Sequence, residues 1–282
     1  MDHAVQTGTR TTGTRAAADP GTRADPLTLS TGISHRAITG RILELAYESG
    51  YKAALIDAPQ GTVTAWPRFG RMVSAAAAGL RRRGLADGDS AGVFVQDAAS
   101  FAIAVNAIRA AGATPSPIAP DASMAEVTAR LNACGARVLI TASPLAELAA
   151  EAADRSRVRQ VFSFGDAPGT TPFRSLLGVA KHGGAPDGVA RRGDADHGLD
   201  THDPDTRFAL SHRDVVVACP PCGEGRAYTS LIDLTLLTGA TIVAAPVPLI
   251  TAAMRAYQGT AAIVPRDTDV PGLPADRVFG VA

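Results

Sequence analysis

The chain has 282 residues, 46% of them hydrophobic, which is enough for one large domain or two small ones with a real core. Basic and acidic residues number 27 each, so the formal charge is zero; the basic residues are scattered, Arg81-Arg82-Arg83 being the densest cluster, and neither a nucleic-acid nor an anionic-membrane surface is expected. No apolar run is long enough to span a bilayer, the N-terminal segment lacks an apolar signal core, and three cysteines without a secretory signal point to the reducing cytoplasm.

Residues 1–32 carry a near-repeat, Thr7-Gly8-Thr9-Arg10 and Thr12-Gly13-Thr14-Arg15, and too little apolar surface to offset the entropy of ordering; they predict a disordered tail. Residues 38–48 place Ile38, Ile42, Leu45 and Ala46 on one helical face. Ala53–Asp57 reads as a short strand turned by Pro59-Gln60-Gly61. The next helix carries Phe69, Met72, Val73, Ala76 and Leu80 at three- and four-residue spacing and stops at Gly84. Arg81, Arg82 and Arg83 close its last turn, where positive charge suits the helix dipole better than a phosphate patch would explain them.

From Asp89 strands and helices alternate. Residues 91–95 form a strand, Ala98–Ala111 a helix closed by Gly112, and 113–118 a strand broken by prolines. Ser123 and Glu126 make a capping box for a helix ending at Gly135. Residues 137–141 are a strand, Ser143-Pro144 starts another helix, and 158–164 are a further strand. This repetition predicts an α/β fold with mostly parallel sheets and helices on both faces. Residues 165–206 are rich in glycine, proline, aspartate and histidine and read as a loop or linker. A second block, 207–282, offers strand Val215–Ala218, helix 228–237, strand 240–245, helix 250–257 and strand 261–264, then a proline-rich tail with no further core. The domain reading is therefore 1–32 tail, 33–164 first α/β subdomain, 165–206 linker and 207–282 partial second α/β subdomain.

Several of these pieces, in order, resemble the adenylate-forming superfamily of acyl-CoA synthetases, luciferases and adenylation domains, the 4-coumarate–CoA ligase group most of all. They are Ala54-Leu55-Ile56-Asp57 with Gly61-Thr62-Val63-Thr64, Ala78-Gly79-Leu80, and Gly84-Leu85-Ala86-Asp87-Gly88-Asp89. Then come Ala107-Ile108-Arg109-Ala110-Ala111-Gly112-Ala113, Pro117-Ile118-Ala119-Pro120, and Cys134-Gly135-Ala136-Arg137-Val138-Leu139-Ile140-Thr141. Leu210-Ser211-His212-Arg213-Asp214 is similar to the segment just after the family's phosphate loop, and Leu236-Leu237-Thr238-Gly239-Ala240-Thr241-Ile242-Val243 to a later helix-to-strand turn. No single motif is specific; their order and spacing over residues 38–265 carry the resemblance. It implies a truncated N-terminal domain of an acyl-CoA synthetase.

Three departures bear on function. A phosphate loop needs closely spaced glycines whose backbone amides converge on oxyanions, with a lysine adding charge; between Asp205 and Leu210 there are none, and Gly169-Thr170-Thr171-Pro172 is an echo placed too early. Counting back from Gly239, Glu224 stands where the family carries a histidine before its acid site, and a carboxylate there would repel a substrate acid or acyl phosphate. The family's later adenine, ribose and hinge motifs, and its C-terminal catalytic lysine, would fall beyond Ala282.

The expected protein is a degenerate acid–CoA ligase relative that binds an acyl or aryl acid or a partner, with no cofactor. ATP, Mg and CoA enter only if a rearranged ATP site leaves an active AMP-forming ligase. By resemblance, His212 and Glu224 would line the substrate pocket; a helix-cap or core hydrogen bond is the alternative for His212. Cys219-Pro220-Pro221-Cys222 has the spacing of a thiol redox or metal site, but the following Gly223-Glu224-Gly225 brings negative charge where a cation would lower a thiol pKa. His197, His202 and His212 match no zinc spacing. A homo-oligomer, or a complex with a complete ligase or carrier protein, is expected, because stopping such a fold midway would leave sheet edge or apolar surface to cover.

Overall fold

A computed structural model of the chain describes residues 35–178, 210–221 and 225–281. The predicted tail, most of the predicted linker, and Cys222, Gly223 and Glu224 lie outside the described residues. In chain order the elements are α1 (His35–Glu48), β1 (Ala53–Asp57), β2 (Thr62–Ala65), α2 (Trp66–Arg82), β3 (Ser90–Phe94), α3 (Ala98–Ala111), β4 (Thr114–Pro117), α4 (Met124–Cys134) and β5 (Val138–Ala142). They continue with α5 (Ala146–Asp154), β6 (Gln160–Phe164), β7 (Thr171–Pro172), β8 (Val215–Ala218), α6 (Gly225–Leu237), β9 (Thr241–Ala244), α7 (Ile250–Ala256), β10 (Ala261–Pro265) and β11 (Val278–Val281).

Two sheets result. One has the order β4-β3-β5-β6-β7 and is parallel throughout. The other has the order β11-β10-β8-β9-β1-β2 and is parallel except for the β1–β2 hairpin at its edge. Alternation along β3 shows why helices cover both faces of the first sheet: Ala91 and Val93 join the core cluster between the sheets, while Phe94 joins a second cluster with Val127 and Leu131 of α4 and Ala149 and Ala152 of α5. Helices α1, α2, α3 and α6 fill the space between the sheets, and α7 packs on β8 from outside. Helix α3 is apolar on nearly every side because it is enclosed on every side.

Local signals act as their chemistry dictates. Ser123 and Glu126 form both halves of the capping box, and Gly112 and Gly135 end their helices in the left-handed region at φ 94° and 63°. The three arginines closing α2 each serve a neighbour: Arg81 donates to Ala110 O, Arg82 to Leu176 O, and Arg83 lies over the Phe162 ring.

Two expectations change. The tail after β10 is not without core: Val270, Val278, Phe279 and Val281 are buried, and β11 pairs in parallel with β10. And β1 and β2, from segment 33–164, belong to the sheet built by 207–282, since Leu55, Ile56 and Asp57 pair with Ile242, Val243 and Ala244. Strands this short are stabilised by their sheet neighbours rather than by local propensity, so β11 depends on β10 and β1 on β9.

Candidate functional site

In open α/β sheets ligands settle outside the carboxyl ends of the strands, where strand order reverses. Here β9 lies on one side of β8 while β10 and β11 lie on the other, so the reversal of the larger sheet falls between β8 and β10, at Cys219 and Arg266. In the smaller sheet it falls between β3 and β5, ahead of Asp97 and Ser143. The two carboxyl edges meet around the starts of α3 and α6. Phe101 and Tyr228 stack edge to face at 5.0 Å, the Tyr228 hydroxyl donates to Cys219 O at 2.6 Å, and a Cβ on Gly225 would lie 2.7 Å from Pro117 Cβ.

The described charges at this mouth include two carboxylates. Asp97 caps α3, accepting from the Ser100 amide at 2.7 Å. Burial pushes its pKa up and the Asp57 charge pushes the same way, against the pull of the Ser100 bonds. Cys219 is buried here, its thiol 3.1 Å from Pro220 O.

His212 stands at the opposite edge, ahead of β8, roughly 15–20 Å from Cys219 at a strand's rise per residue. Its side chain, placed in the substrate pocket by resemblance, is exposed, and its carbonyl makes a contact with Lys52. That carbonyl and Gly239 O, the latter at 2.6 Å, both accept from the Lys52 ammonium. Burial lowers the Lys52 pKa, and nearby Asp214 opposes the shift. Asp214 accepts from the Ser211 amide at 2.6 Å, the Ser211 hydroxyl at 2.9 Å, the Thr260 hydroxyl at 2.7 Å and Arg277 at 3.2 Å. Although burial acts to raise its pKa, Thr260, Ser211 and Arg277 together hold it below the ordinary carboxylate range. Lys52, His212, Asp214, Gly239, Thr260 and Arg277 precede β1, β8, β9, β10 and β11. One polar cluster therefore ties the amino ends of all five parallel strands in this sheet.

The phosphate-loop echo also has a structural use. Gly169 takes φ 72°, the Thr170 hydroxyl donates to Ala167 O at 2.8 Å, and Thr171 and Pro172 form β7 beside β6. A shallow groove of about 200 Å³ opens nearby, between Met72 and the Phe164–Phe173 stack at 4.1 Å, with Arg174 at its rim ion-paired to Asp166. Among the described residues, no group of three or more His, Cys, Asp or Glu could hold a metal ion, and no helix is long and apolar enough to cross a membrane.

Sequence reasoning missed Lys52, Asp57, Asp97 and Asp214. A signal existed for two of them: Lys52 is one of only two lysines beside many arginines, and Asp97 stands three residues before Ser100 at the head of an apolar helix. The clustering around Asp214 needs strand pairing and has no local signature.

Solved structures share this architecture. A long-chain-fatty-acid-CoA ligase from Archaeoglobus fulgidus matches with TM-score 0.65 at 20% identity, covering 81% of this chain and 51% of its own. A benzoate CoA ligase from Burkholderia xenovorans matches with TM-score 0.66 at 17% identity, covering 84% of this chain and 53% of its own. The inhibitor-bound N-terminal domain of FACL13 from Mycobacterium tuberculosis matches with TM-score 0.64 at 17% identity, covering 84% and 68%. At these identities the likeness is one of fold, and the chain spans about half the length of the first two. No curated protein matches by sequence. The profile of the AMP-binding enzyme family, however, matches residues 44–191, just over half of the chain. The chain belongs to the AMP-binding enzyme family.

Proposed function

We propose that this protein is a non-catalytic relative of the AMP-forming acid–CoA ligases, of 4-coumarate–CoA ligase type, that works as a binding module for an acyl or aryl acid or for a partner chain such as a complete ligase or a carrier protein. One observation carries the reading. The segment resembling the flank of the family's phosphate loop, Leu210-Ser211-His212-Arg213-Asp214, runs directly into β8 and is committed to the polar tie at the amino edge of the sheet. That edge faces away from the carboxyl ends where α/β sheets hold ligands.

The test is acid-dependent exchange of pyrophosphate into ATP, run on the full chain with a panel of aryl and fatty acids and with Mg. Exchange at background for every acid is expected. Acid-dependent exchange above that level sinks the reading and leaves an active ligase with a rearranged ATP site.

A further inference from the structure

The four outer strands of the two sheets are not equally guarded. In the smaller sheet, β4 is Thr114-Pro115-Ser116-Pro117 and β7 is Thr171-Pro172, so both of its edges carry proline, which cannot donate to another strand. In the larger sheet, β11 has its side chains buried. Strand β2, Thr62-Val63-Thr64-Ala65, has no such protection. It bonds to β1 on one side only, Thr62 and Val63 are exposed, and among the described residues nothing pairs with its outer edge. Val63 is 52% exposed, one of few large apolar side chains so placed. The residues are β-branched or small and uncharged, the composition that extends a sheet rather than ends it.

The charge pattern around β2 says what fits it. From Ala58 to Pro67 there is no charged residue, and the run is bounded by Asp57 on one side and Arg68 on the other. A second copy laid antiparallel on this edge meets no like charge along the strand, and it brings each copy's Asp57 end toward the other's Arg68 end. Two-fold pairing centred on Val63 sets Val63 opposite Val63, and Thr62 opposite Thr64, of the second copy, because residues directly opposite one another must share a face of the sheet. The contact is self-complementary, as a closed two-fold interface requires, and main-chain bonding supplies the attraction. We propose that β2 is the strand through which two copies of this chain pair, antiparallel about a two-fold axis, joining their six-stranded sheets into one. The inference is independent of whether the chain catalyses anything.

Mass measurement by light scattering on the eluting full chain, from low to high micromolar, tests it alongside amide exchange. The wild type is expected to reach twice the monomer mass as concentration rises, with the amides of Thr62 to Ala65 slowing in step. Val63→Lys, a change at an exposed side chain, is expected to halve the mass while leaving far-ultraviolet dichroism unchanged, and Val63→Thr to keep the dimer. A wild type that stays monomeric overturns the proposal. So does a dimer that survives Val63→Lys, or one whose Thr62–Ala65 amides exchange equally fast at low and high concentration. The exchange measurement decides even if the lysine variant fails to fold.

Discussion

Asp214 and Asp97 are both carboxylates near strand ends, yet their surroundings drive them in opposite directions. Asp214 is held below the ordinary range, against burial, by donors on Thr260, Ser211 and Arg277. Its contribution to stability is full above the unfolded carboxylate pKa of about 3.9 and fades as pH falls through its lower folded value. Asp97 is raised by burial and by Asp57, so its contribution is full below about pH 3.9 and is lost as pH rises through its higher folded value. Asp214→Ala should therefore cost about 2–3 kcal/mol at neutral pH, the scale of hydrogen bonds to a charged group, and should flatten the acid limb of the stability curve. Asp97→Asn keeps a good helix cap and should stabilise the fold at neutral pH by about 1 kcal/mol, with no gain at acid pH. Denaturant melts of both variants across pH check the signs; like pH profiles for the two would refute the assignment. Neither behaviour was legible in the sequence, because it depends on partners such as Thr260, 46 residues from Asp214.

Among the elements, α3 and α6 are joined by more than apolar packing. Arg109 and Asp233 meet with both carboxylate oxygens 2.8 Å from the same guanidinium nitrogen, at side-chain exposures of 2% and 7%. One turn away, buried Asn106 donates to Ala102 O and accepts from Thr39 of α1 at 2.9 Å. Charges in such a place add directional demand to an alanine-rich interface whose side chains offer little shape. Arg109→Met, which strands a buried carboxylate, should cost about 3–5 kcal/mol, whereas Arg109→Met with Asp233→Leu should recover most of that loss. Urea midpoints for the two variants measure the difference, and equal losses would refute the pairing as the cause. The sequence showed α3 to the residue, Ala98–Ala111, from an apolar run closed by Gly112. It also showed Arg109 inside that run, but the matching acid lies 124 residues later and only packing reveals it.

Over the whole molecule, the two sheets share one core. A single buried cluster takes in Val93 and Ile140 from the smaller sheet and Val217 and Ile242 from the larger. Trp66, the only tryptophan, is fully buried in that cluster with its ring edge to face with Phe69 at 5.8 Å. Its fluorescence should thus change in the same transition as the backbone dichroism; two separated midpoints would mean that the sheets melt apart. What the sequence could show at this scale was the layered α/β class, because strands and helices alternate along the chain from Asp89. It could not show which strands share a sheet, because nothing local in β1 marks its pairing with β9, 187 residues on in the chain. That long reach has a consequence for synthesis. Lys52 and the strand after it find their carbonyls and their neighbour only at Gly239 and β9, 187 residues later. At ordinary translation speeds the ribosome takes on the order of ten to forty seconds to cover that distance. Throughout that interval β1 emerges with its β9 edge unpaired and α1 without α6. The nascent chain must then keep an apolar strand from wrong pairings, a task for which holdase chaperones exist.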